Sequence, residues 1–363
     1  MKNEKKKVLF VATVDSHIEL FHLPYLKMFK DKGYEVHVAT NTDKKIEYCD
    51  KKHKISIERN PFKLNNLKAT RELKKIVNTE KFDIIHCHTP MGGVVARLAA
   101  KKARKHGTRV IYTAHGFHFF KGAPLKNWLL FYPVEKYLAK YTDTLITINT
   151  EDFERAKKKF GKRCKDIEYV PGIGVDEKKF SKKLTKAQKH ELRKSLGLKD
   201  DDFVMICVGR LDTNKNQGFL IDITRELLKE NKKYHLLLAG VDENSGRYQI
   251  QAEDIKDHVH FLGMRSDIVE LLNISDVALS ASKREGLPVN LIEAAIVGVP
   301  IVATDCRGNR DVAERKNIVR INDFKGFYET IKNLKESIST RKYEKFLLKN
   351  VVISIYNIYN NKR

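Results

Sequence analysis

Two glutamates eight residues apart, Glu285 and Glu293, bracket a loop and an apolar stretch in KREGLPVNLIEAAIVGVP, residues 283–300. The string directly follows the strand-like run DVALS. Gly286 and Pro288 favour a loop, and residues 289–297 read as a helix whose first turn offers unpaired backbone N–H groups to an anion. A diphosphate at that helix mouth would put Glu285 beside a sugar and Glu293 beside a ribose, each accepting from hydroxyls. The same spacing also describes a capped helix with an incidental pair of acids. Upstream, the apolar run at 203–208 leads into GRLDTNKNQGFL. There Gly209 permits a tight exit, and Arg210 and Lys215 place two cations near the start of the next helix. That is an anion site by composition, or two surface cations in a lysine-rich chain.

Other chemistries fit less well. In a hydrolase two carboxylates must flank one bond, whereas Glu293, inside a helix beyond the phosphate cradle, lies far from an anomeric carbon. A single acid does not run a double displacement. No HExxH and no clustered cysteine ligands occur, and the acidic run at 200–202 precedes a strand, so it reads as a turn. His86 and His88 alternate on one strand face, but no third ligand is in view, and a cleft-lining or buried role is expected for them. The expectation is therefore no metal and no cofactor.

These residues need strands to place them. Residues 7–13, 35–39, 83–88, 109–113 and 143–148 are short runs rich in Val, Ile and Leu, separated by helix-length segments. Residues 203–208, 234–239, 276–280 and 300–304 repeat the pattern after a break at 171–202, where PGIGVD passes into a Lys-rich stretch and then KDDD. The expected class is α/β, with two Rossmann-like, doubly wound parallel sheets. The boundaries are residues 1–175 for the first domain and 176–343 for the second, with a last helix at 344–363 completing the first. Ligands of such sheets sit at the carboxyl ends of strands, where Arg210, Lys215 and Glu285 fall.

The 363 residues carry 70 basic and 46 acidic groups, a formal charge of +24. Residues 1–180 hold +17 of it and the remainder +7. With 51 Lys against 19 Arg, part of the excess is compositional bias. The rest suits an anionic membrane surface better than nucleic acid, for which no module signature is present. No apolar run is long enough to span a bilayer or serve as a secretory leader, and the five cysteines form no CxxC pair. A cytoplasmic chain with reduced thiols is expected.

The string EGLPVNLIE resembles the E-x7-E motif of the family 4 retaining glycosyltransferases, with Glu285 and Glu293 on its acidic positions. VGRLDTNKNQ resembles their phosphate-clamp segment, GMRSDIVELL precedes the motif in the usual order and VATDCRGNRDV follows it. In the first half, VATVDSHIELFHLPYLK, DIIHCHTP and YTAHGFHFF are similar to enzymes that build bacterial capsule and exopolysaccharide. The resemblance implies the GT-B fold, two Rossmann-like domains facing each other across a cleft, with the donor on the second and the acceptor on the first. It implies that Arg210 and Lys215 hold the donor diphosphate, with Gly209 beside them and the backbone of Gly286, Leu287, Pro288, Val289 and Asn290 completing the cradle. Glu285 would then meet the sugar, Glu293 the ribose, and His115 the reacting centre. The donor implied is a nucleotide sugar, a UDP-sugar in the first instance, and the acceptor a polyprenyl-diphosphate-linked saccharide.

The glycine-rich turn usual after the first strand of this family is replaced by Thr13, Val14, Asp15, Ser16 and His17. Asp15, Ser16, His22 and His88, with His115, are candidates to meet the acceptor instead. Residues 117–141 interleave Phe117, Phe119, Phe120, Trp128, Phe131, Tyr132 and Tyr137 with lysines, either as the core side of an amphipathic helix or as an interfacial surface. With the basic run at 101–105 and the lysines at 2–7, peripheral attachment to the inner face of the cytoplasmic membrane is expected. The alternatives are a nucleotide-sugar epimerase or hydrolase on the same fold, and a basic surface-binding protein without turnover.

Overall fold

Every apolar run singled out above forms a strand, and all are paired in parallel. The computed structural model describes residues 5–334 and 340–360; the lysine at position 2 and residues 361–363 of the expected last helix lie outside them. The chain divides into two compact units, Met1–Ile173 with Val352–Arg363, and Gly174–Val351.

In the first unit β1 (Lys7–Val11), β2 (Glu35–Thr40), β3 (Lys51–Lys54), β4 (Ile84–Cys87), β5 (Arg109–Ala114), β6 (Thr144–Thr147) and β7 (Asp166–Tyr169) form one sheet. The order is β3-β2-β1-β4-β5-β6-β7. The second sheet contains β8 (Phe203–Val208), β9 (Tyr234–Ala239), β10 (Val259–Gly263), β11 (Val277–Ser280), β12 (Ile301–Thr304) and β13 (Ile318–Val319), ordered β10-β9-β8-β11-β12-β13. Both faces of each sheet are covered by helices, so the inner strands bury both sets of side chains and read as continuous apolar runs. Val8, Leu9, Phe10 and Val11 of β1 and Leu236, Leu237 and Leu238 of β9 are fully buried.

Four strands were not anticipated: β3 (KKHK), β7 (DIEY), β10 (VHFLG) and β13 (IV). All four are sheet edges. An edge strand has one neighbour and one side open to solvent, so β3 and β7 stay polar, while β10 and β13 are runs too short or mixed to stand out.

In each sheet the strand order reverses once, between β1 and β4 and between β8 and β11. Loops leaving two such strands in opposite directions open a crevice at their carboxyl ends. The loops after β8 and β11 carry Arg210, Lys215 and Glu285; those after β1 and β4 carry Asp15, Ser16, His17 and His88.

The helix Leu348–Asn360 begins in the second unit, and its later residues count with the first. Tyr359 hydrogen-bonds His86 through its hydroxyl, and its carbonyl accepts from Arg109 Nη1 at 3.0 Å. All five cysteines are free thiols. Among the described residues no helix is long and apolar enough to cross a membrane.

Candidate active site

In the second unit the loop after β8 is shaped by Asp212. Its Oδ1 accepts from the backbone N–H of Asn214 at 2.9 Å and of Lys215 at 2.7 Å, an Asx turn that folds the loop back on itself. Asn216 then takes a left-handed conformation, φ 60°, and the helix Gln217–Glu230 starts. The turn directs Lys215 back over Gly209, whose absent Cβ would sit 3.4 Å from Lys215 Cε. Gly209 itself has φ 147°, a conformation side-chain-bearing residues rarely adopt.

Glu285 meets this lysine from the loop after β11. Lys215 Nζ donates to Glu285 Oε1 at 2.7 Å, with both side chains mostly shielded. The two loops are stitched by backbone and side chain: Lys283 N–H to the Asn214 carbonyl at 2.8 Å, and Asn214 Nδ2 to the Arg284 carbonyl at 3.1 Å. Gly286 to Pro288 then turns into the helix Val289–Val297, the span expected from sequence. That helix has no side-chain cap at its start, so its first N–H groups are available to an external acceptor. Asn290 ties its first turn to β8, donating to the Val208 carbonyl at 2.7 Å. Leu287 is buried beneath the loop.

Arg210 is not gathered with Lys215. Its guanidinium is 65% exposed and donates to both Glu243 oxygens, at 3.0 and 3.1 Å, on the loop after β9. Glu293 is half-buried in the helix, and desolvation lifts its carboxyl to about 7, the nearest opposing influence being Lys179.

Sequence reasoning passed over Arg307. Buried behind the motif loop, it donates through Nε to the Glu285 carbonyl at 3.0 Å. The next residue, Gly308, packs so closely that a Cβ there would lie 2.5 Å from the Gly286 carbonyl oxygen. The signal was available in position alone, for DCRGNR follows β12.

In the first unit a cavity of about 880 Å³ opens beside the ends of β1, β4 and β5. Its walls are mainly apolar, among them Leu20, Phe21, Phe62, Met91, Phe117 and Phe131, with Ser16, His17, Arg59, His115 and Glu135 among the polar points. Thr13 and Thr89 join the β1 and β4 loops, their hydroxyls 2.8 Å apart. Of the acceptor candidates, Ser16 and His115 reach this cavity. His22 and His88 are buried behind it and line a second, much smaller one. Asp15 is taken up elsewhere: it accepts from the Thr40 and Thr42 hydroxyls and pairs with Lys52 at 3.0 Å. These contacts hold its carboxyl below the usual range despite the opposing effect of burial.

His86 and His88 do share a strand face, with ring centroids 4.1 Å apart. His86 is satisfied by Tyr359 and by Thr113 Oγ1 at 2.7 Å. His88 instead stands among His17, His22 and His115.

The aromatic segment divides. Phe117 and Phe119 are core, and Trp128, Phe131 and Tyr132 pack against it. What the helix Leu125–Leu138 turns outward is largely aliphatic: Leu125, Leu129, Leu130 and Val134, the first two 73% and 68% exposed. Tyr132 stacks on Phe160 and meets Phe119 edge-on, and Trp128 tilts against Phe119, which leaves the leucines at the surface.

Comparison with known proteins gives a consistent kinship. The family described as Glycosyl transferases group 1 matches residues 188–345, and that described as Glycosyl transferase 4-like matches residues 7–149. EpsD of Bacillus subtilis, a chain named as a glycosyltransferase, is 47% identical over 336 residues, 91% of this chain and 87% of EpsD. The Escherichia coli UDP-Gal:alpha-D-GlcNAc-diphosphoundecaprenol alpha-1,3-galactosyltransferase is 30% identical over 281 residues, 75% of this chain and 71% of the relative. Anabaena HepE, solved in complex with UDP and glucose, superposes with a TM-score of 0.76 at 19% identity, over 98% of this chain and all of that one. At that identity the likeness is one of fold.

Proposed function

The chain belongs to the group 1 glycosyltransferases, related to exopolysaccharide and capsule enzymes, and on that premise we propose that it moves a sugar from a UDP-sugar to a polyprenyl-diphosphate-linked saccharide with retention of configuration. The observation that carries the donor half is the Lys215–Glu285 contact of 2.7 Å at the switch point of the second sheet, beside an uncapped helix N-terminus.

Departure of a nucleoside diphosphate builds negative charge on the leaving oxygen while the anomeric carbon becomes oxocarbenium-like. A cation and backbone donors already aimed at that oxygen stabilise it without reorganisation, roughly 2–4 kcal/mol of barrier for each. In the free protein Lys215 is neutralised by Glu285. An entering diphosphate takes over the ammonium, and Glu285 is released to accept from sugar hydroxyls. Arg307 and Gly308 hold the backbone of that loop, so the carboxylate is presented from a fixed position. Arg210 swings from Glu243 to the diphosphate, and Glu293 accepts from the ribose. Charge compensation by these groups makes a divalent ion unnecessary.

The acceptor half rests on the first unit's cavity. Its apolar walls suit a prenyl chain, and the polar points Ser16 and His115 suit saccharide or phosphate oxygens. The outward leucines and the neighbouring lysines suit the inner face of the cytoplasmic membrane. Two relatives, from Escherichia coli and Campylobacter jejuni, are named for transfer to diphosphoundecaprenol-linked sugars, which supports this acceptor class.

Incubating the protein with individual UDP-sugars and an undecaprenyl-diphosphate-linked saccharide tests the reading. One pair should give a product one sugar heavier by mass spectrometry, with the donor's anomeric configuration by NMR. Glu285→Gln should lower kcat/KM for the donor by about 10²-fold. Inversion of configuration, or turnover with only a non-uridine donor, would overturn the corresponding part.

A further inference from the structure

Four imidazoles of the first unit converge although their positions in sequence span 98 residues. His17 lies on the helix Asp15–Phe21 and His22 directly after it. His88 follows β4 and His115 follows β5. Because β1, β4 and β5 are neighbours in the sheet, the loops after them end side by side. One nitrogen from each ring lies within 4.8 Å of all the others.

The closest approaches form a row: His22 Nε2 to His17 Nε2 at 3.3 Å, His17 Nε2 to His115 Nε2 at 3.3 Å, and His115 Nε2 to His88 Nδ1 at 3.5 Å. Each of these four nitrogens carries either one proton or one lone pair. Four such atoms make at most two hydrogen bonds, so three contacts cannot all be satisfied by protons. A cation bound by four lone pairs satisfies every one. With Zn–N bonds of about 2.0–2.1 Å, a tetrahedron has nitrogen–nitrogen edges of about 3.3–3.4 Å. The row supplies three of a tetrahedron's six edges at close to that length.

Burial also favours the ligand form. Desolvation, reinforced at His17 by Arg59 and at His22, His88 and His115 by mutual repulsion among the imidazoles, keeps all four from accepting protons. Neutral imidazole is what a metal binds. The other nitrogens of His22 and His88, Nδ1 and Nε2, are buried with no hydrogen-bond partner among the described residues. With an ion on His22 Nε2 and His88 Nδ1, these outer nitrogens carry the ring protons. His17 and His115 line the larger cavity, which supplies an entry path.

We propose that His17, His22, His88 and His115 form a binding site for a late first-row divalent cation of the zinc class within the first unit, one that occupies the His115 nitrogen otherwise offered to an acceptor oxygen. All-imidazole ligation selects such an ion over magnesium or calcium, which prefer oxygen. The other candidate set in this unit, His37, His53 and Glu80, is already committed. His37 bonds His53 at 2.9 Å and Glu35 at 2.7 Å, and Glu80 pairs with Lys7 and Lys51.

The test is direct metal binding, whose failure leaves the transferase reading untouched. The full chain is stripped with chelator, dialysed against zinc chloride at neutral pH, and its bound metal counted by atomic emission. One equivalent is expected on the wild type, loss of that equivalent in H17Q/H22Q, and its retention in H53Q. Cobalt(II) in place of zinc should give the intense visible bands of a tetrahedral nitrogen site. Absence of a stoichiometric equivalent on the wild type, equal binding by the double variant, or only weak octahedral cobalt bands would each overturn the proposal. The cobalt spectrum uses unaltered protein, so a double variant that fails to fold does not spare the proposal.

Discussion

Lys215 and Glu285, 70 residues apart in the chain, are joined by a 2.7 Å charged hydrogen bond because β8 and β11 are neighbours in the sheet. Neither residue alone marks a site. Together they form a cation and a carboxylate that can exchange partners when an anion and a polyol arrive.

Replacing Lys215 by Ala should lower kcat by about 10²–10³-fold, since a donor to the leaving oxygen is worth roughly 2–4 kcal/mol. Lys215→Arg should recover part of the loss. Arg210→Ala should also lower turnover, but with a smaller effect on stability, because its partner Glu243 is exposed and surface pairs contribute little. Steady-state release of UDP and thermal melts separate the two effects. Near-normal rates for K215A would remove the diphosphate assignment.

Glu293 predicts a pH dependence. Burial lifts its carboxyl from an ordinary 4.5 to about 7. A raised folded value stabilises the fold where the group is protonated, fully below about pH 4.5, and that contribution is lost as pH rises through about 7. Donor binding runs the other way, because only the carboxylate accepts two ribose hydroxyls. UDP affinity of the wild type should rise between about pH 6 and 8, while E293Q should bind more weakly and with a flatter profile. Isothermal titration with UDP reads this; a parallel pH profile in E293Q would contradict the ribose contact.

Magnesium and manganese should be dispensable. With the diphosphate compensated by Lys215, Arg210 and a helix N-terminus, omission of either ion should leave UDP release within about twofold. A strict requirement for an added hard divalent ion would show that charge compensation is incomplete. This measurement does not touch the imidazole site, which has little affinity for such ions.

Leu129 and Leu130 should matter for membranes. They are 68% and 48% exposed on a helix that also carries Lys126 and Lys136. Sedimentation with vesicles containing phosphatidylglycerol should retain the wild type at low salt, and L129E/L130E should reduce the bound fraction severalfold. Added salt should weaken binding in both, since screening acts on the lysines. Equal sedimentation of the variant and the wild type would place the membrane contact elsewhere.

What the amino-acid order determined by itself is whatever short-range physics enforces. Inner strands, buried on both faces, must be apolar runs, so β1, β4, β8 and β11 are legible. Pro288 at the cap, Gly298 in a left-handed conformation after the end and the apolar residues between them delimit the helix Val289–Val297 to the residue. Lys215 and Glu285 stand in recognisable places because both directly follow strands.

Tertiary structure alone decided which of these groups meet. The edge strands β3 and β7 are polar and carry no periodic signal, and β10 and β13 are too short or mixed to be told from loop. Arg210 turns to Glu243 and Asp15 to Lys52, choices made by partners 33 and 37 positions away. His17, His22, His88 and His115 belong to three separate segments, and no local spacing relates them. Their convergence follows from the order in which parallel strands are laid down, because loops adjacent in space need not be adjacent in the chain.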